Sequence, residues 1–261
     1  MILPIFLFII GLFFGSFFGV LVDRIPKGKS FVKGRSYCDF CKKTLGWKDL
    51  IPVISFIATK GKCRYCHKSL PYFYPIIELV TGLLFAFVYY FSNFQFSIFN
   101  FQLIYNLIVV SGFIVIFFTD LKYGIIPDGI LLVLALTEII FLLISGSWMI
   151  SVNHVVSAVL SFAFFIAINY TFYFVTKKEG MGGGDIKLSF VLGLLLGFPG
   201  IFVGLYLAFL TGALVSTILV LWRKRLVRDR LAFGPFLIFG AFAGLFWGAG
   251  LYSFFLKLLG A

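Results

Sequence analysis

Long apolar runs separated by short polar segments make up most of this chain. Apolar stretches of about 18 residues or more recur along it, and stretches of that length are typical of transmembrane helices. The pattern predicts eight spans. They cover residues 1–22, 73–91, 101–118, 129–145, 153–175, 186–198, 200–221 and 232–256. The sixth span is short and begins with polar residues, so a count of seven stays open.

One long polar segment, residues 23–72, separates the first span from the second. This predicts three parts: a first transmembrane helix (1–22), a loop domain (23–72) and a multi-span domain (73–261). The first span has no basic residues ahead of it and no small-residue cleavage site behind it. We therefore expect a retained membrane anchor and not a cleaved signal peptide.

The composition excludes a soluble domain and gives the predicted spans an orientation. The chain is 61% hydrophobic and 12% charged, with 22 basic residues against ten acidic ones. More than half of the basic residues lie in 23–72, and basic residues favour the cytoplasmic side. With that loop inside and the N-terminus outside, every basic residue except Lys257 falls on the cytoplasmic side. The net charge of +12 then indicates attraction to anionic lipid, and no nucleic-acid-binding module is expected.

All four cysteines lie in the loop domain, in two C-x-x-C pairs: Cys38, Cys41, Cys63 and Cys66. Two such pairs are typical of a tetrahedral zinc site. Two disulfides are the alternative, but they are rare in a reducing cytosol. Four thiolates would fill the coordination shell, so the predicted role is structural. His67 could replace one cysteine as a ligand, although an exposed loop histidine is the simpler interpretation.

Five of the ten acidic residues lie outside the basic loops: Glu78, Asp120, Asp128, Glu138 and Asp185. An ionised carboxylate at mid-membrane costs roughly 2.5–3.5 kcal/mol, so each is a functional candidate. Asp120 ends the third span, and Asp185 opens the sixth behind three glycines. Span parity places both at the cytoplasmic face. Two carboxylates at one depth can share a proton, as an aspartyl protease requires.

Other interpretations of these acidic residues stay open. An intramembrane acid pair also suits a proton or cation relay in a transporter, and the glycines suit close helix packing. Asp128 follows Pro127, where the default role is a helix N-cap, although it could also support the pair. Glu138 falls in the middle of a span and is expected to pair with a polar group there.

Several segments, in this order, resemble the type IV prepilin peptidases, which are membrane aspartyl proteases with a G-x-G-D motif. They are GSF at 15–17, RIP at 24–26, the C-x-x-C pairs around LIPVIS at 50–55, YPIIELVTG at 74–82, Asp120 through IPD at 126–128, and GGGDIK at 182–187. The chain departs from the family at Gly19, where an Asn is usual.

The resemblance implies an all-α polytopic membrane enzyme of about eight helices with a small zinc-binding insert. It implies that Asp120 and Asp185 are catalytic and that the four cysteines bind zinc. Gly182, Gly184, Asp128 and Lys187 would support the site.

It also implies substrates: prepilins or pseudopilins with a basic leader and an apolar helix, cut on the cytoplasmic side of the bacterial cell membrane. Bifunctional members then methylate the new N-terminus with S-adenosylmethionine, and Glu78 is the candidate residue for that step. The alternatives are a peptidase without methyltransferase activity and a proton-coupled transporter that uses Asp120 and Asp185 as a relay.

Overall fold

The computed structural model describes residues 2–91, 101–177, 180–222 and 232–258. These residues form helices and loops, with no strand among them. The helices are α1 (Ile2–Arg24), α2 (Ile54–Ala58), α3 (Phe73–Phe91), α4 (Phe101–Tyr123), α5 (Asp128–Ser145), α6 (Trp148–Thr176), α7 (Gly183–Leu221) and α8 (Gly234–Leu258). The predicted all-α membrane fold is confirmed. Lys178 and the basic run 223–230, which enter the orientation argument, lie outside the described residues.

Seven of the described helices are long and apolar enough to cross a membrane. The longest of them, α7, is not continuous, because Gly197 and Phe198 have non-helical backbone angles. These two residues divide α7 into a first leg, 183–196, and a second leg, 199–221. At ~1.5 Å per residue the first leg is about 21 Å long. The legs match the separate spans that the sequence predicts at 186–198 and 200–221.

Contacts with α6 show that the two legs run in opposite directions. His154 of α6 contacts Gly197, and Ser161, further along α6, contacts the earlier residue Ser189. The first leg therefore runs antiparallel to α6. Asn153 binds Phe198, and Phe164 and Phe165, further along α6, contact the later residue Phe209. The second leg therefore runs parallel to α6. The chain therefore turns back at Gly197 and Phe198, and α7 is a helical hairpin.

The chain forms two compact units, residues 1–118 and 119–261. In the first unit α1 packs antiparallel against α3 through glycines spaced four residues apart on α1. A Cβ at Gly15 would lie 2.6 Å from the Cα of Glu78, and one at Gly11 would lie 2.7 Å from the Cα of Gly82. Small residues let membrane helices approach this closely. The division of the chain into three parts at 22 and 72 stays a prediction.

In the second unit, α7 also packs closely against its neighbours. Its second leg meets α8 where Gly200 lies against Gly244 and Gly204 against Gly240. Its first leg joins α5 and α6 in a buried apolar cluster of Leu142, Ala158 and Leu194. Both legs are thus held by direct backbone or core contacts, the first leg near its end at Leu194.

Candidate active site and metal centre

Asp120 and Asp185 line one cavity of about 310 Å³ in the second unit. Asp120 lies in the last turn of α4 and Asp185 in the first turn of α7. The remaining lining residues come from the two segments that flank these carboxylates, 124–128 and 182–187. Two distant parts of the sequence thus bring two carboxyl groups to the same small, polar cavity.

The backbone that follows Asp120 explains how the two segments meet. Gly124 has a φ of +65°, in the left-handed region that favours glycine at a helix end, and its N–H donates to the Asp120 carbonyl over 2.8 Å. The chain then turns through Ile126 to α5. A Cβ at Gly184 would lie 3.2 Å from the Cβ of Ile126, so glycine at this position lets the two segments touch.

Asp120 is the more buried of the two acids, with 5% of its surface exposed. Its Oδ2 has no hydrogen-bond partner among the described residues. Gly234, the first residue of α8, lies against it: a Cβ there would be 2.5 Å from Oδ2. The N-terminus of α8 therefore faces this carboxyl group, where the helix dipole favours negative charge. Sequence reasoning missed Gly234, although a glycine directly before Pro235 at the start of a span is a usable signal.

Asp185 is partly exposed, and its charge interacts with that of Asp120. The glycines before it shape its surroundings. The Asp185 N–H donates to the Gly182 carbonyl over 3.1 Å, and a Cβ at Gly182 would lie 3.4 Å from Asp185 Oδ2. Gly182 and Gly183 are exposed. The glycine run therefore leaves one side of the carboxyl group open to an approaching chain.

Asp128 and Lys187 form an ion pair between the two segments. Lys187 Nζ lies 2.9 Å and 3.0 Å from the two Asp128 carboxylate oxygens. Both side chains are mostly exposed, 58% for Lys187 and 69% for Asp128. The N-cap interpretation of Asp128 is wrong, because Pro127 occupies the N-cap of α5 and Asp128 lies in its first turn. The carboxylate instead binds the lysine of the other segment.

The four cysteines of the first unit form one cluster. Their sulfur atoms all lie within 4.8 Å of one another, and Cys38 Sγ is 3.9 Å from Cys66 Sγ. Tetrahedral zinc with bonds of about 2.3 Å needs sulfurs about 3.8 Å apart. All four are free thiols and not disulfides. The donor set fits a structural zinc ion, with Cys38, Cys41, Cys63 and Cys66 as ligands.

Each C-x-x-C pair forms the same tight turn. The Cys38 N–H donates to the Lys43 carbonyl (3.0 Å), and the Cys63 N–H donates to that of Lys68 (2.9 Å). The residue after each pair has a left-handed backbone, with φ of 59° at Lys42 and 57° at His67. His67 is therefore the counterpart of Lys42, is exposed, and lies outside the four-sulfur cluster.

Asp49 lies in the segment between the two cysteine turns and binds two residues of the second turn, Arg64 and Tyr65. Its carboxylate accepts hydrogen bonds from the Gly46 N–H (3.0 Å) and the Tyr65 hydroxyl (3.1 Å), and it pairs with Arg64 Nε at 2.7 Å. The hydrogen bond to Asp49 raises the pKa of Tyr65. Sequence reasoning gave Asp49 no special role, because its partners cannot be identified from a basic loop.

The thiol of Cys63 is prepared for metal binding. Burial disfavours its ionisation, but hydrogen bonds from the backbone N–H groups of Cys66 and Tyr65 outweigh burial and lower its pKa to about 7. A thiolate is the form that binds zinc. The backbone of the turn therefore favours ionisation of Cys63, whereas at Cys66 the Lys68 N–H is outweighed by burial and the hydrogen bonds with the other three thiols, which raise the pKa of Cys66 to about 11.

Two further predicted acids have polar partners of their own. Glu78 of α3, in the first unit, is buried and accepts a hydrogen bond from the Val53 N–H over 2.7 Å, with Ser16 as a second partner. Val53 has a φ of +60°, so Glu78 holds an unusual backbone position of the loop. Glu138 of α5 lies 3.0 Å from His154 of α6, which supplies the polar partner expected for it.

Comparison with known proteins gives consistent matches over most of the chain. The bacterial peptidase A24 N-terminal domain matches residues 9–92, and the type IV leader peptidase family matches residues 107–217. A protein of Bacillus subtilis is 34% identical over 256 residues, covering 97% of both chains. A protein of Klebsiella pneumoniae is 32% identical over 202 residues, covering 75% of this chain and 86% of its own. Both are named prepilin leader peptidase/N-methyltransferase. No solved structure matches.

Proposed function

Because the chain belongs to the type IV leader peptidase family, we propose that it is a membrane aspartyl peptidase that removes the leader from prepilins or pseudopilins. We include in the proposal the N-methylation of the new N-terminal residue, since the similar proteins are named for both activities. The long apolar helices and the family indicate a multi-pass protein of the bacterial inner membrane.

The observation that carries the peptidase mechanism is the cavity shared by Asp120 and Asp185. Two carboxyl groups that line one small cavity can share a proton. The ionised group takes a proton from water, and the water oxygen attacks the peptide carbonyl while the protonated partner donates to the carbonyl oxygen. Collapse of the tetrahedral intermediate then breaks the C–N bond, and the leaving amine takes up a proton from the pair.

The open side of the cavity suits a peptide substrate. Gly182 and Gly183 are exposed and carry no side chain, so an extended peptide can approach Asp185 closely. The apolar helix that follows the cleavage site would lie among the membrane spans. The positive-inside rule supports cleavage at the cytoplasmic face, with the cysteine loop on the same side of the membrane.

Zinc would be held by the four cysteine thiolates and would stabilise the loop without taking part in cleavage, because four protein ligands leave no open position. S-adenosylmethionine is the methyl donor implied for the second activity. Glu78 remains the candidate residue for it, but the contacts of its carboxylate are with Val53 and Ser16 of the chain itself. These contacts support a structural role for Glu78.

The test of the dyad is to replace each acid by its amide. Asp120→Asn and Asp185→Asn keep the side-chain size but prevent the pair from sharing a proton, so leader cleavage in membranes should fall by about 10²–10⁴-fold. Asp23→Asn is the matched control, because its amide oxygen can still accept the hydrogen bond from Tyr74. Near wild-type cleavage by either dyad variant would exclude the proposed mechanism.

The same preparations separate the alternatives. The mass of the mature pilin N-terminus shows whether one methyl group is added, and cleavage without it would identify a peptidase alone. A transporter that uses the pair as a relay would cleave no leader in the wild-type form.

A further inference from the structure

A second polar cluster lies in the second unit, away from the cavity that holds Asp120 and Asp185. Glu138 of α5 is fully buried, and its Oε1 lies 3.0 Å from Nδ1 of His154 on α6. Neither residue lines the cavity of the two aspartates. A buried ionisable pair is costly in a membrane and marks a functional position by default. The peptidase mechanism above does not use it.

His154 also binds the backbone of the α7 hairpin. Its Nδ1 lies 2.8 Å from the carbonyl oxygen of Leu194, in the last turn of the first leg. Because a carbonyl oxygen can only accept, Nδ1 must carry the hydrogen. The ring therefore satisfies a carbonyl left free where the helix ends, and Glu138 contacts the same nitrogen from α5.

The neighbouring residue of α6 binds the hairpin turn directly. The Phe198 N–H donates to Asn153 Oδ1 over 2.9 Å, and Asn153 Nδ2 donates to the Phe198 carbonyl over 2.8 Å. Inside a bilayer there is no water to satisfy backbone groups at a break in a helix. Asn153 supplies both partners that Phe198 lost when the helix was interrupted.

The turn itself is shaped to fit under the histidine. Gly197 has a φ of +56°, and a Cβ there would lie 2.7 Å from His154 Cδ2. Any side chain would collide with the ring, and the backbone angle also favours glycine. The apolar cluster of Leu142, Ala158 and Leu194 packs in the same region. Leu142 lies one helical turn from Glu138, Ala158 lies one turn from His154, and Leu194 carries the carbonyl that His154 binds.

We propose that Glu138, His154 and Asn153, which we call the hairpin clamp, are positioning residues for Asp185. The clamp holds the far end of the first leg, and Asp185 is in the first turn of that leg. The ten residues from Asp185 to Leu194 form a helical rod of about 14 Å, nine steps of ~1.5 Å. Fixing its end therefore sets the axial position of the Asp185 carboxyl group beside Asp120. This inference rests on the proposed function.

The activity test compares Glu138→Gln and Asn153→Ala with Thr137→Val in the full-length protein in nanodiscs. Thr137 adjoins Glu138 on α5, is partly exposed and donates to the Val133 carbonyl of its own helix, so its variant should match wild type. We expect kcat for leader cleavage to fall by about 10–100-fold in the clamp variants, because small misplacements of a reacting group are costly. KM should change less than twofold, since the clamp does not line the cavity.

A merely structural role would lower thermal stability but leave kcat of the folded protein unchanged, and that result would overturn the proposal. The double variant should lose no more activity than the worse single variant, because both changes release one leg.

Amide hydrogen exchange gives a readout that does not depend on activity. The clamp variants should exchange faster in 183–198, with α1 and α3 unchanged. Unchanged exchange in that range would overturn the clamp even if the enzyme proved inactive. A wild-type protein that cleaves no leader, yet shows this exchange pattern, would reject the proposed function and keep the clamp.

Discussion

The cysteine loop and the α7 hairpin both hold irregular backbone, but they do so with partners at different distances along the chain. In the loop, each C-x-x-C turn is closed by a hydrogen bond between residues five positions apart, Cys38 to Lys43 and Cys63 to Lys68. In the hairpin, the partners of Leu194 and Phe198 are His154 and Asn153, 40 and 45 residues away.

The solvent explains the difference. Water can form the hydrogen bonds that the backbone of the exposed loop needs. The loop is too small to build a large hydrophobic core, and a metal ion can stabilise it in place of that core. Inside the bilayer each backbone group at a helix break needs a protein partner. The loop should therefore fail when one ligand is lost, whereas the membrane unit should respond to local packing and to individual polar partners.

The largest effect is expected from removing a zinc ligand. Cys38→Ser should abolish stable zinc binding, because the site supplies folding energy to the loop. Zinc per chain, measured by elemental analysis, should fall from one to near zero, and limited proteolysis should cut within 36–70. Ser69→Ala, outside the cluster, should keep both zinc and protection. Full zinc content in the Cys38 variant would reject the four-cysteine site.

The next effect tests the dependence of the membrane unit on close backbone contact. Gly240→Ala would place a Cβ on the carbonyl oxygen of Gly204, whereas Gly250→Ala on the same helix meets nothing within 4 Å. Overpacking of this kind costs about 1–3 kcal/mol. Thermal unfolding in detergent should therefore begin at a lower temperature in the first variant only. Equal transitions for the two variants would show that α7 and α8 do not pack through these glycines.

The same contrast accounts for what could be predicted from the sequence. The sequence alone predicts the membrane spans, the cysteine pairs and the segments around Asp120 and Asp185. Each of these depends on the length of an apolar run, the spacing of residues or a local motif. Gly234 against Asp120, Asp49 between Arg64 and Tyr65, and the partners of the hairpin turn depend on which helices pack together. A lone glycine or asparagine in an apolar span gives no such information. The division of α7 at Gly197 was predictable because Gly-Phe-Pro interrupts the apolar run.

The smallest effect concerns the ion pair that joins the two aspartate segments. Asp128 and Lys187 are well exposed, and exposed pairs contribute about 0–1 kcal/mol because water and salt screen them. Lys187→Asp should therefore change the unfolding transition little. Leader cleavage should fall by less than about 10-fold, since the repelling Asp128 loosens the contact between segments that flank the cavity. The double exchange Asp128→Lys with Lys187→Asp should restore the rate, because the attraction returns with its direction reversed. If the double variant cleaves no faster than the single one, the pair does not align the two segments, and Gly184 against Ile126 is the contact that holds them.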